Sequence, residues 1–199
     1  MIRAIATCTW FERLRSCYRR FRFFADNRGV SAVEFALILP VMMGLYLGGV
    51  EVTKAINLNR KVTLIARTLS DLVALVAKVN ATDIANVLTA GEAVAWPYND
   101  STLKMRVSSV EIDPQGVATI KWSRARNWTA RADGETLSGA DAVPAALKLP
   151  NTTLVWSEVE YRYAPAIGGG FSILKEGITL KDKIYMRPRL TDKVVCDPC

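Results

Sequence analysis

The chain contains no histidine. That absence excludes a Ser-His-Asp triad, a Cys-His pair, a His-ligated zinc site and a histidine pH switch. It has no internal repeat and no low-complexity tract. Its one glycine run, Gly168-Gly169-Gly170-Phe171, lacks the Gly-x-x-x-x-Gly-Lys-Ser/Thr frame of a phosphate loop and reads as a connector. The body of the chain also lacks a charge excess. Of a net charge of +7, most comes from residues 1–28, where seven Arg face only Glu12 and Asp26. Residues 51–199 hold 19 basic and 16 acidic side chains. A nucleic-acid partner needs a basic face on the folded part, so none is expected.

What the sequence does have is a long apolar run. Residues 35–50 carry no charge, and from Gly29 to Val50 the only charge is Glu34. As a helix, residues 29–50 span about 33 Å at about 1.5 Å per residue, enough for the hydrocarbon core of a bilayer. Seven Arg precede the run, and Lys54, Arg60, Lys61 and Arg67 follow it. This bias predicts a cytoplasmic N-terminus, with residues 51–199 on the far side of the membrane. A removed secretory signal would need a shorter apolar stretch and a small-x-small site, which Glu51-Val52-Thr53-Lys54 does not supply. The cysteines fit this topology. Cys8 and Cys17 lie in the basic head, and Cys196 and Cys199 lie in the C-terminal segment. On an oxidising side, Cys196-Asp197-Pro198-Cys199 reads as a small disulfide loop; two free thiols and a redox motif are the competing readings.

Glu34 is the most informative residue. A carboxylate in an apolar run is costly at mid-bilayer and usually functional; solvation at headgroup depth is the plain alternative. Gly29, preceded by Arg28, is followed five residues on by Glu34 and then by the apolar helix. This resembles the processing site of type IV prepilins, in which a membrane prepilin peptidase cuts after the glycine. The cut would leave Val30 as the new N-terminus and Glu34 as its fifth residue. Arg28, Gly29, Ala32, Glu34, Phe35, Ala36, Leu37 and Pro40, followed by an apolar run and the acidic Glu51, resemble the TadE-like family, whose members begin with an R-G-x-x-A-x-E-F-A-L-x-x-P pattern, an apolar run and then an acidic residue.

The resemblance covers about 25 residues and implies a minor pilin, or pseudopilin, of a Tad/Flp pilus in a bacterial inner membrane. It implies as partners a prepilin peptidase, the major Flp-type pilin and other minor pilins, the inner-membrane pilus platform and membrane lipid. A free ammonium at Val30 would pair with the Glu34 carboxylate of a neighbouring subunit, because each charge is otherwise stranded in apolar surroundings. Pro40 removes one helical hydrogen bond and predicts a kink, unless the membrane helix simply tolerates it. The leader also carries Trp10, Phe11, Phe21, Phe23 and Phe24 among its arginines, a pattern that suits an amphipathic helix on the inner leaflet.

Beyond the membrane the helical pattern continues through Val52, Ile56, Val62, Ile65, Leu69, Leu72, Val73, Val76 and Val79. One long helix to about residue 79 follows. Thr82 and Asp83 suit the N-cap of a short helix over 83–89, ended by Gly91. Residues 102–112 and 117–124 form a hairpin around Asp113-Pro114-Gln115-Gly116. Residues 125–151 read as loop with a short helix over 140–147. Residues 152–163 and 178–188 are two further strands.

The expected fold is α+β, a long N-terminal transmembrane and amphipathic helix packed on a small antiparallel sheet, as in pilins. Its parts are a leader, 1–29, a membrane helix, 30–50, its extension, 51–80, and a domain, 81–199. Glu158 and Glu160 are expected on a solvated sheet face. Trp122, Arg124, Arg126 and Trp128 are expected in an edge strand and loop, with stacking on a polysaccharide as the alternative. No cofactor, metal or catalytic site is expected. The rival readings are an uncleaved, single-pass anchored sensor or binding module and a type II secretion pseudopilin.

Overall fold

The apolar periodicity from Val30 onward forms one α-helix, α1, spanning Val30–Ala74 and running uninterrupted through Pro40. The computed structural model describes residues 30–98, 100–165 and 177–198. The leader, Arg28, Gly29, the 168–170 glycine run and Cys199 lie outside the described residues. The chain divides into two compact units, Met1–Gly49 and Val50–Cys199. In the first, α1 exposes its apolar side chains on every side: Leu37, Ile38, Val41, Met42, Leu45 and Tyr46 are all uncovered. Such a segment is long and apolar enough to cross a membrane.

In the second unit the same helix becomes one-sided. Leu58, Val62, Ile65, Ala66, Leu69, Ser70, Val73 and Ala74 are buried. Their three- and four-residue spacing makes a single stripe. The stripe packs with Leu103, Met105, Val107, Val155, Val159 and Tyr161 of the sheet in one core.

The helix ends five residues before the expected 79. Lys78–Val79 forms a two-residue strand, β1, parallel to β6, Val195–Cys196. Backbone competition explains this. The Arg189 N–H donates to the Ala74 carbonyl, the Val195 N–H to Ala77 and the Asp197 N–H to Val79. The C-terminal segment thus takes carbonyls that a longer helix would use internally.

The second helix, α2, spans Ala81–Ala95, longer than the expected 83–89. Asn80, not Thr82, is its N-cap. The Asn80 side chain accepts from the Asp83 N–H at 2.9 Å, and the Asp83 carboxylate accepts from the Asn80 N–H at 3.1 Å, a reciprocal capping box. Gly91 does not end the helix. It lies inside α2, where an added Cβ would sit 2.8 Å from Met105 Sδ, 3.2 Å from Leu69 Cδ2 and 3.3 Å from Ile65 Cγ2. The glycine is there for close packing among α2, α1 and the sheet.

Four strands form an antiparallel sheet in the order β3-β2-β4-β5: β2, Leu103–Ile112; β3, Ala118–Arg126; β4, Thr152–Tyr163; β5, Ile178–Met186. The β2–β3 turn is held by Asp113, whose Oδ1 accepts from the Gln115 and Val117 N–H groups, while Gly116 adopts φ 79°. A register shift at Ser109/Val110 leaves Lys121 as an extra residue in β3.

The central strands β2 and β4 are buried on both faces. On the face away from α1, Val110, Ile112, Ile120, Leu154 and Trp156 pack under Leu137 and Val143 of the β3–β4 connection. That connection holds two 3₁₀ turns, Gly139–Asp141 and Ala145–Leu147, in place of the expected short helix. It also lines the outer edge of β3, with Ile120 N–H donating to Glu135 and Leu137 N–H to Ala118. β3 is the edge strand the sequence implied, covered by its own loop.

The Gly91 contacts set opposing effects. Gly91→Ala gains about 1 kcal/mol of helix propensity and loses about the same to crowding. It is expected to melt within about 3 °C of the parent. Gly91→Leu cannot be absorbed and is expected to cost about 2 kcal/mol or more, lowering the melting temperature of the full chain in detergent by about 6 °C.

Candidate functional site

The residues singled out by the sequence pattern fall along α1. Arg28 and Gly29 lie outside the described residues, and Val30 is the first residue of the helix. Glu34 follows one turn later, exposed, among exposed apolar neighbours that include Val33 and Phe35. Phe35 and Pro40 are exposed as well.

Glu51 differs. Its side chain is only 13% exposed. The Tyr163 hydroxyl donates to Glu51 Oε2 at 2.5 Å, and the Lys54 ammonium donates to Oε1 at 3.3 Å. Burial and the neighbouring Glu51 carboxylate push the Tyr163 hydroxyl up to about 12. The carboxylate that closes the apolar run is therefore the point where α1 is bonded to the end of β4. Three turns on, Lys61 donates to the carbonyls of Val94 and Trp96 and lies 5.5 Å from the Tyr98 ring centroid. Tyr98 meets Tyr161 edge to face at 6.5 Å. These contacts tie α1, the end of α2 and β4 together.

Residues 29–69 match the TadE-like protein family. No curated protein and no solved structure matches the chain. The TadE-like segment thus holds the exposed apolar stretch, Glu34, Glu51 and most of the stripe that α1 buries against the sheet. The likeness stops before β1 and does not reach the sheet.

That geometry overturns one expectation. Glu158 is not on a solvated face; it is 3% exposed. Arg106 pairs with its Oε2 at 2.7 Å and Arg131 with its Oε1 at 3.2 Å. Arg131 also reaches Asp141 at 2.8 Å and Glu135 at 3.0 Å, and Lys183 reaches Asp141 at 2.7 Å. The guanidinium of Arg131 lies 4.4 Å from the Trp156 ring centroid, and Tyr185 stacks on that ring at 5.4 Å. Arg106 lies over Trp128 at 4.3 Å. Trp128 is therefore engaged within the domain, Trp122 is buried, and Arg126 is paired with Glu92 at 2.5 Å. Of the two arginines among these four residues, Arg124 is without a carboxylate partner among the described residues.

Burial alone would discharge Arg131, but its hydrogen bonds to Glu158 and Asp141 and their charges prevail and raise its pKa. Hydrogen bonds from Lys183 and Arg131 hold the Asp141 carboxyl down at about 2, against an ordinary 3.8. Lys181 and Lys104 likewise hold Glu160 below its ordinary value. The sequence could not reveal these clusters. Arg106 and Arg131 lie 52 and 27 residues from Glu158, and the alternation along β4 looked like an ordinary polar face.

Two outcomes follow. Tyr163→Phe leaves a mostly buried carboxylate without its donor, and is expected to cost about 1–2 kcal/mol, or about 4 °C in melting temperature. The folded-state pKa of Asp141 lies below its unfolded value, so its contribution is complete above pH 4 and is lost as pH falls toward 2. The acid-side slope of stability in Asp141→Asn is expected to be shallower than in the parent between those limits, measured by denaturant unfolding at successive pH values.

Proposed function

We propose that the protein is a minor pilin, or pseudopilin, of a Tad-type pilus and takes part in assembling that filament without performing chemistry of its own. The observation that carries this reading is the family match over residues 29–69, with Gly29 and Val30 at its start and Glu34 one turn into an exposed apolar helix. In this reading a prepilin peptidase cuts between Gly29 and Val30 on the cytoplasmic face. Residues 30–50 then hold the chain in the inner membrane until it is drawn into or under the filament, and the sheet domain lies in the periplasm. The arginine-rich head supports that orientation.

Glu34 sets the axial register. Its carboxylate would pair with the Val30 ammonium of the next subunit, and the exposed apolar surface around it is what a bundle of such helices would cover. The partners are the peptidase, the membrane platform, the major pilin and other minor pilins. Cys196 and Cys199 are assigned to a disulfide loop; their Cys-Asp-Pro-Cys spacing and the oxidising side of the membrane support this pairing.

The N-terminal mass of the membrane-associated protein tests the reading. A chain beginning at Val30 is expected, and retention of Met1 would favour an uncleaved, single-pass anchored module. Glu34→Ala is expected to be processed normally yet to be at least tenfold depleted from sheared filaments. Normal incorporation of that variant would remove the register role.

A further inference from the structure

In the Val50–Cys199 unit the cations of the sheet are largely neutralised in place. Arg106 and Arg131 share Glu158, Lys104 and Lys181 share Glu160, Arg126 has Glu92 and Lys183 has Asp141. Arg124 and Lys193 line one cleft and have no carboxylate partner among the described residues. The Arg124 guanidinium donates to the Ser123 carbonyl at 2.6 Å, and Lys193 is exposed. The cleft measures about 500 Å³, within the range of small-molecule sites. It lies at the start of β4, ten residues from Tyr163 and therefore about 33 Å along the strand from the end that meets Glu51.

The walls are built, not incidental. Trp122 forms one side, and its indole N–H is fixed on the Val194 carbonyl at 2.9 Å. That bond holds the segment bearing Lys193 against β3. The extra residue in β3 is Lys121, which turns onto Glu111 at 2.8 Å and closes another side. Ser109 and Thr153 bring hydroxyls to the lining, and Asp133 brings a carboxylate that has no cation partner among the described residues.

The composition of this lining selects a ligand class. Two unneutralised cations attract an anionic group. Asp133 repels a compact polyanion such as a phosphate, yet accepts hydrogen bonds from hydroxyls, as Ser109 and Thr153 also do. A ligand with one carboxylate and several hydroxyls meets all of these demands. We propose that the cleft binds an acidic saccharide, with Arg124 and Lys193 holding its carboxylate and Asp133 its hydroxyls against the Trp122 wall. This site lies wholly within the sheet domain and does not depend on the pilus reading.

The test is binding of glucuronate, galacturonate and N-acetylneuraminate to the full chain in detergent micelles, by saturation-transfer NMR and calorimetry, with glucose and inorganic phosphate as comparison probes. At least one acidic sugar is expected to bind, and glucose at least tenfold more weakly. Arg124→Gln and Lys193→Gln should each weaken the acidic sugar at least tenfold. Lys193 is exposed, so its variant keeps the fold if the Arg124 variant does not. Asp133→Asn should weaken the sugar while leaving phosphate no weaker. Binding by none of the acidic sugars, equal binding of glucose, or undiminished binding in both cation variants would overturn the proposal. Phosphate binding as tight as the sugar would reduce the cleft to a simple anion site and overturn the saccharide assignment.

Discussion

A single helix has to satisfy two solvents, and the rest of the molecule is arranged around that demand. Over residues 30–50 the helix has no buried side at all. In water such a surface would aggregate, whereas a bilayer core about 30 Å thick would accept it with every backbone group satisfied internally. From Leu58 onward the same helix keeps only a narrow apolar stripe, and the sheet covers it. Glu51 marks the change. It is the first charge after the apolar run, and Tyr163 and Lys54 neutralise its cost on the domain side.

The sheet answers this demand with two unlike faces. Where the α1 stripe packs on it the sheet is apolar, apart from Ser157, whose hydroxyl donates to the Ala66 carbonyl at 2.5 Å and accepts from Ser70 at 2.6 Å. The other face combines a small apolar core with the Arg106–Glu158–Arg131 cluster. Buried ion pairs of this kind contribute little net stability, but leaving one charge unpartnered is expensive. Such a cluster disfavours other placements of the long β3–β4 connection, because Arg131 and Asp141, which that connection carries, must meet Glu158 and Lys183 together.

How far the sequence disclosed this depended on the range of the interaction that decides each feature. The span of β4, residues 152–163, was legible because period-two alternation is local. The α1 stripe was legible because helical spacing is local. The Asp113–Gly116 turn followed from turn chemistry. The end of α1 was not legible, since its carbonyls are claimed by Arg189 and Val195, more than a hundred residues away. Gly91 was misread as a terminator because a glycine required by close packing and one required by a helix end look alike. Glu158 was misread as solvated because its partners come from β2 and from a loop with no periodic signal. Of the candidate site, Glu34 and Glu51 stood out in the pattern. Trp122 and Arg124 stood out as interleaved aromatic and basic residues, but the Tyr163 bond to Glu51 and the joining of Arg124 with Lys193 and Asp133 did not, because tertiary structure alone assembles them.

The measurement that bears most directly on a helix shared between two solvents is a nitroxide scan. Single spin labels at successive positions from 40 to 66 of the full chain in lipid vesicles would report accessibility to oxygen and to a water-soluble nickel complex. Oxygen accessibility should be high and nickel accessibility low at every position through Val50. Nickel accessibility should then rise beyond Glu51, with a helical period whose minima fall at Leu58, Val62, Ile65 and Ala66. A water-accessible helical period already present between residues 40 and 50 would contradict the change of solvent at Glu51.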